Sequence, residues 1–460
     1  MDEQVLVWCK RLIECPSVTG QGTRAIVELC ARELLRPRGI DARIIPSSSE
    51  GPEQVNLVAL VKGHDTERAP LVLNTHLDTV PPGDPQLWTT CGGDPFAATV
   101  ENGRIYGLGA ADTKLDFVAK AMALSEESQP RRDVWLVATF GEEHGLVGAK
   151  ELAQSGIPPR GALAFVGEPS HLEVITAHKG LMVFALRIEF RRSHDVFGPA
   201  ALRRLTFTGR AAHSSTPALG RNAIRMALDE LAAHQAGGIV AIRGGDAVNK
   251  VPAACEVIVR EMADRAVAGA ALAPVGDAPR GAIPHPAIAA VTRFVTELQK
   301  FADRAGVVET DYASPTLTCN PGRISSDGDT IVLDFELRPS PGLALDIVRE
   351  GVAAIATEIE RAFTSIQVTV EERRANPGFR SALDRETLPV ALGALARAGL
   401  SLKTGVKTGC TEAGIYAAAG LEPVVFGPGP STSVIHAPNE YNLLEEVSGA
   451  IRFYREVLGS

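Results

Sequence analysis

Three short apolar runs in this chain each stop at side chains able to bind a metal or carry a proton. Residues 71–75 run into His76, residues 134–140 into Glu142 and Glu143, and residues 162–166 into Glu168. Apolar runs of this length, rich in branched residues, fit strands buried on both faces. Segments with helical spacing lie around them, at residues 5–13, 23–35, 114–125 and 148–154. That alternation predicts an α/β domain with a mostly parallel sheet and helices on both faces. Ligand sites of such sheets lie beyond the carboxyl ends of the strands, which is where these side chains fall.

The texture changes near Leu181. Residues 181–190, 205–209 and 332–337 read as strands, and residues 222–236, 287–305 and 343–363 as helices. Residues 266–281, rich in Ala, Gly and Pro, read as a mobile loop. This pattern predicts a separate α+β domain with one sheet face exposed. The α/β texture returns near Asn376, with helices expected at 387–398, 412–419 and 445–458 and a strand at 423–426. One domain is therefore expected inside another: residues 1–178 and 376–460 form the first, and residues 179–375 the insert. A chain of 460 residues is long enough for two cores.

Charge and cysteine usage exclude several partners. The formal net charge is −9 and no basic run of five or more residues occurs, which argues against nucleic acid. No stretch is long and apolar enough for a spanning helix, and the first residues lack a signal-peptide pattern, so no membrane partner is expected. The 7 cysteines are scattered, with no Cys-x-x-Cys pair, and fit reduced thiols in the cytoplasm.

Each chemistry-bearing residue has a plain reading beside the sharp one. His76 and Asp78 point the same way on an extended chain, and a ligating imidazole commonly needs a carboxylate to orient it. A loop histidine beside a surface aspartate is the alternative. Asp112 follows Gly107-Leu-Gly-Ala-Ala, a flexible entry to the helix after it, and is either a metal ligand or a helix cap. Glu142 and Glu143 are costly at the end of a buried strand unless a cation compensates them. A metal would take one, and the other would serve as base toward an activated water. A solvated acidic turn is the alternative. His436 follows the apolar run 423–426 and Gly427-Pro-Gly-Pro. Together these are nitrogen and oxygen donors without thiolate, a set that suits zinc, cobalt or manganese.

The ordered segments HLDTVP, GLGAADTK, GEEHG, GEPS, GRAAHSSTPALGRNAI and GPGPSTSVIHAPNEY resemble the motif set of the M20 metallopeptidase and deacylase family. The resemblance covers nearly the whole chain. It implies a catalytic α/β domain with two divalent metal ions and an inserted lid domain. Under it, His76 and Glu168 would hold one metal, Glu143 and His436 the other, and Asp112 would bridge. Asp78 would steer His76. Glu142 would be the general base and then the proton donor to the leaving amine. In the lid, His213 resembles the histidine that steadies the oxyanion, Arg338 the arginine that binds a substrate carboxylate, and Asn249 a substrate-binding asparagine. A surface salt bridge is the alternative for Arg338.

The chain also departs from the family pattern. His213 and Arg338 are widely separated, with the excess near residues 261–316, and this leaves Arg260 and Asn320 as rivals to Arg338 and Asn249. Compact members dimerise through the lid, and an enlarged lid would allow a monomer, so both states stay open. Glu168 resembles the deacylase and carboxypeptidase branch. The run Gly409-Cys-Thr-Glu412-Ala-Gly-Ile is similar to acetylornithine deacetylases. Glu412 either faces the pocket and selects a cationic substrate side chain or caps the helix after it. The expected activity is hydrolysis of the amide bond of a small N-acyl amino acid. A dipeptidase or carboxypeptidase is the alternative. A non-catalytic binding protein on the same scaffold is disfavoured, because every expected ligand and the base are present.

Overall fold

The computed structural model describes residues 2–124, 129–192, 202–234, 238–260, 270–275, 281–305, 308–431 and 434–460. The chain divides into two compact units, Met1–His178 with Phe379–Ser460, and Lys179–Gly378.

The first unit is built on a 9-stranded mixed sheet. Its centre runs Val134–Thr139, Leu71–His76, Leu163–Val166, Glu422–Val425, all paired in parallel. Antiparallel strands flank it, Ala42–Pro46 and Val55–Val61 on one side, Val174–His178 and Phe379–Arg380 on the other. The parallel character expected from the sequence belongs to this centre and to the ninth strand, Thr404–Lys407, which pairs in parallel with Val174–His178. Alternate residues explain the continuous apolar runs. Leu71, Leu73, Leu163 and Phe165 enter one core with the helices Lys114–Ala123 and Leu444–Leu458. Val72, Ala164 and Val166 enter another with Val147–Gln154 and Ala413–Ala418. Both sheet faces are thus covered, and neither can carry polar side chains at low cost.

Register sets the site. His76 lies opposite Thr139, and Asn74 opposite Val166. The strands that lead to His76, Glu142 and Glu168 therefore end at nearly one level, and the turns at their ends converge.

The second unit is an 8-stranded sheet in which every pairing is antiparallel. The helices Ala223–His234, His285–Arg304 and Leu345–Ala362 share one core with it. The strand Ala254–Arg260 alternates buried and less buried residues, as a sheet with one open face requires. One expectation fails here. Ala270–Val275, read from the sequence as part of a mobile loop, is a strand on the sheet edge, paired with Leu202–Thr208. Its Ala and Pro content hides it, because these residues have weak strand preference. An edge strand needs only one partner and accepts a proline. Residues 266–269 and 276–280 of that expected loop lie outside the described residues.

Candidate metal centre

His76 ends its strand with the ring fully buried. Its Nδ1 lies 3.0 Å from the Asp78 carbonyl oxygen and 3.6 Å from the Asp78 carboxylate. Its Nε2 faces Asp112 Oδ1 at 3.0 Å and Glu168 Oε1 at 4.0 Å. Across the site, His436 Nε2 lies 3.3 Å from Asp112 Oδ2 and 3.1 Å from Glu143 Oε2. Asp112 thus turns one oxygen to each histidine. Two groups result, His76–Asp112–Glu168 and Asp112–Glu143–His436, each with its donor atoms within 4.8 Å of one another.

The electrostatics call for cations. Burial pushes Glu142 well above the usual carboxylate range, and Glu168, Glu143 and Asp112 add to the rise against the pull of His76. Burial also raises Glu143 and Glu168. Burial disfavours a charge on His436, yet its bonds to Asp112 and Glu143 outweigh that and lift it to about 11. His76 is likewise raised well above its ordinary value, by Asp112 and Asp78 against burial. Asp112 is lowered, because both histidines outweigh its burial. Carboxylates crowded this closely fit a pair of divalent ions, and the donor set suits zinc, cobalt or manganese.

Neighbouring side chains hold these groups in place, and several had no role assigned from the sequence. The Asp78 carboxylate accepts hydrogen bonds from Thr19 Oγ1 at 2.5 Å, from the Glu142 N–H at 3.2 Å and from the Glu143 N–H at 3.4 Å. It therefore fixes the turn that presents both glutamates as well as facing His76. Glu440, buried and pushed up to about 8 by that burial, accepts from the N–H groups of Ala111 at 2.8 Å and Asp112 at 3.0 Å. It holds the backbone that carries Asp112. Its place four residues after His436 was the available signal. Beneath Glu168, a buried Asp116–Lys120 pair at 2.6 Å is joined by Tyr454. A Cβ on Gly167 would fall 2.0 Å from Asp116 Oδ2, so only glycine admits the turn into Glu168. Lys407 Nζ lies 3.3 Å from Glu168 Oε2, and nothing in the sequence marked it.

Of the two readings of Glu412, the helix cap is not met. It is 1% exposed and accepts from Thr139 Oγ1 at 2.8 Å. It precedes the helix Ala413–Ala418 without a side-chain cap. Burial pushes it to about 7. A helix cap does not describe it, because its carboxylate bonds to the Thr139 strand end and not to the helix that follows.

The second unit brings its own candidates together. His213 is exposed, and its Nδ1 accepts from the Ser215 N–H at 3.2 Å. Ser215 Oγ lies closer to the same nitrogen, at 2.6 Å, so the side chain and backbone of Ser215 together orient the ring. The Ser214 N–H donates to the Asn249 carbonyl at 3.1 Å, and Asn249 is exposed on the adjoining turn. Asn320 is buried, donating to the carbonyls of Val248 and Lys250, so it braces that turn. Arg338 is buried, and its Nε donates to Glu336 Oε1 at 2.6 Å. Ser214 Oγ donates to the same oxygen at 2.5 Å. Arg260 is half-buried at the end of its own strand.

A mixed sheet that gathers two histidines and three carboxylates beyond its parallel strands is a layout suited to a dinuclear metal centre. Residues 72–460 match the sequence profile of Peptidase family M20/M25/M40, and the chain belongs to that family. It is 36% identical over 217 residues to an acetylornithine deacetylase of Myxococcus xanthus, covering 45% of this chain and 53% of the relative. For further acetylornithine deacetylases the share of the relative spanned is 60% to 64%. Among solved structures, the fold is similar to aminoacylhistidine dipeptidase from Vibrio alginolyticus, with a TM-score of 0.68 at 17% identity, covering 99% of this chain and 96% of that one. It is also similar to the YXEP protein of Bacillus subtilis, described as a dinuclear metal binding peptidase. There the TM-score is 0.56 at 14% identity, with coverage of 99% and 96%.

Proposed function

We propose that the protein is a two-metal hydrolase that cleaves the amide bond of an N-acyl amino acid. The observation that carries this reading is Asp112, whose two carboxylate oxygens face His76 and His436 from opposite sides. In the proposal His76 and Glu168 hold one ion, Glu143 and His436 the other, and Asp112 both. Zinc fits the donors best, with cobalt or manganese as substitutes. Such a pair supplies Lewis acidity, polarising a carbonyl and making water acidic enough to ionise near neutral pH.

The chain supplies the proton handling. Glu142 is buried beside the ligands without being one of them, and its raised affinity for protons suits a group that takes a proton from water and returns it to the leaving amine. A ring N–H of His213 would steady the oxyanion, and Arg338 and Asn249 would bind the substrate. Among the described residues no helix is long and apolar enough to cross a membrane. The thiols, all free of disulfides, favour a reducing compartment such as the cytoplasm.

The zinc-loaded protein assayed against N-acetyl and N-succinyl amino acids and dipeptides tests this reading. Turnover of N-acyl amino acids is expected. Turnover of dipeptides alone would move the assignment to a peptidase, and turnover of none would end it. His213→Ala is expected to lower kcat by about 10²–10³-fold, the usual cost of one oxyanion donor. The Michaelis constant should change less, because the contact strengthens in the transition state. A change confined to the Michaelis constant would make His213 a binding residue only.

A further inference from the structure

Lys407 ends the strand Thr404–Lys407, which pairs in parallel with Val174–His178 and sets Lys407 opposite His178. Its side chain is 15% exposed, and its ammonium lies 3.3 Å from Glu168 Oε2. The other oxygen of Glu168 lies 4.0 Å from His76 Nε2. Glu168 therefore divides itself between the histidine of a candidate metal group and a lysine. Among the described residues Lys407 has no other ion pair within 4 Å.

A largely buried ammonium is costly without a counter-charge. Glu168 provides one as long as its charge is not claimed elsewhere. When Glu168 serves a divalent cation, its single negative charge is shared between that cation and the ammonium. Lys407 then stands under-neutralised beside the candidate centre. Arg338, the other basic candidate, differs in this respect, since its guanidinium is already countered by Glu336 within its own unit.

We propose that Lys407 determines specificity by receiving a carboxylate of the substrate next to the scissile amide. The preferred substrates are then N-acyl amino acids with that carboxylate free. This deepens the hydrolase reading and rests on it. A carboxylate docked on Lys407 replaces the share of charge that Glu168 gives up, so binding of an anionic substrate and metal loading of Glu168 reinforce each other.

The test uses zinc-loaded native protein, Lys407→Met and Lys407→Arg. The ratio of kcat/KM for an N-acetyl amino acid to that for its carboxamide should be about 100 or more for the native enzyme. It should fall below about 10 in Lys407→Met and be largely kept in Lys407→Arg. Retained discrimination in Lys407→Met, or an equal loss on both substrates, would overturn the proposal. Zinc titration should show two ions in every form, with the weaker site about tenfold tighter in Lys407→Met because Glu168 is no longer shared. An unchanged zinc affinity also overturns it. If no amide is hydrolysed by any form, the hydrolase reading fails separately. Calorimetric binding of succinate to the zinc-loaded proteins then decides on Lys407, with binding at least about tenfold weaker in Lys407→Met expected and equal binding against it.

Discussion

Glu142→Gln is expected to lower turnover by about 10²–10⁴-fold, the span typical of a lost general acid–base group, with metal content unchanged. The amide keeps the size and hydrogen-bonding reach of the carboxyl group but cannot accept and return a proton. Two features make this position the one to test. Glu142 is buried among Glu168, Glu143 and Asp112 without belonging to either donor group. Its backbone is anchored by Asp78, so the variant should hold the turn in place. Turnover should be followed together with bound metal, measured by atomic absorption. Near-native turnover with full metal would place the proton transfer on another residue.

Asp112→Asn should be more severe still, because both histidines look to the same carboxylate. Removing its charge takes the shared ligand from both sites at once and leaves two histidines and the remaining glutamates to hold two ions. Metal bound at micromolar free zinc is expected to fall from two ions per chain to below one, with activity lost in proportion and not restored by modest zinc addition. Glu440→Gln offers a graded comparison. Supporting groups of this kind typically cost about 10–100-fold in metal affinity or activity, and Glu440 holds the backbone that aims Asp112. Equal metal retention by Asp112→Asn and the native protein would remove the bridging role.

The central strands were legible because burial on both faces demands unbroken apolar runs. The strand edges were not. Ala270–Val275 carries little of the branched or aromatic character that marks a strand, and Phe379–Arg380 is too short to leave a pattern. His76, Glu143 and Glu168 were legible for the same reason as the strands, since they stand where apolar runs stop, whereas Asp112 and His436 follow glycine-rich turns and were marked by the motif set. Lys407 depends on which segments meet in space, and neither spacing nor composition encodes that, while Glu440 offered only its place four residues after His436. The Arg338 ion pair could have been read. Glu336 precedes it by two residues on one strand, and such residues share a sheet face. Glu412 could not, because its partner Thr139 ends a strand far away in the chain.

The first unit is discontinuous, and this bears on how the protein is made. The strand Glu422–Val425 fills the place beside Leu163–Val166, but it comes after the whole of Lys179–Gly378. A nascent chain emerging from its N-terminus therefore carries Leu163–Val166 with a bare edge through the synthesis of a complete second unit. An open apolar strand edge is a template for wrong pairing. His436, the last candidate ligand to be made, arrives only after that gap has been closed. The two candidate groups are thus completed at different times: His76, Asp112 and Glu168 all precede the second unit, whereas the group of Asp112, Glu143 and His436 lacks its histidine until the second unit has been made.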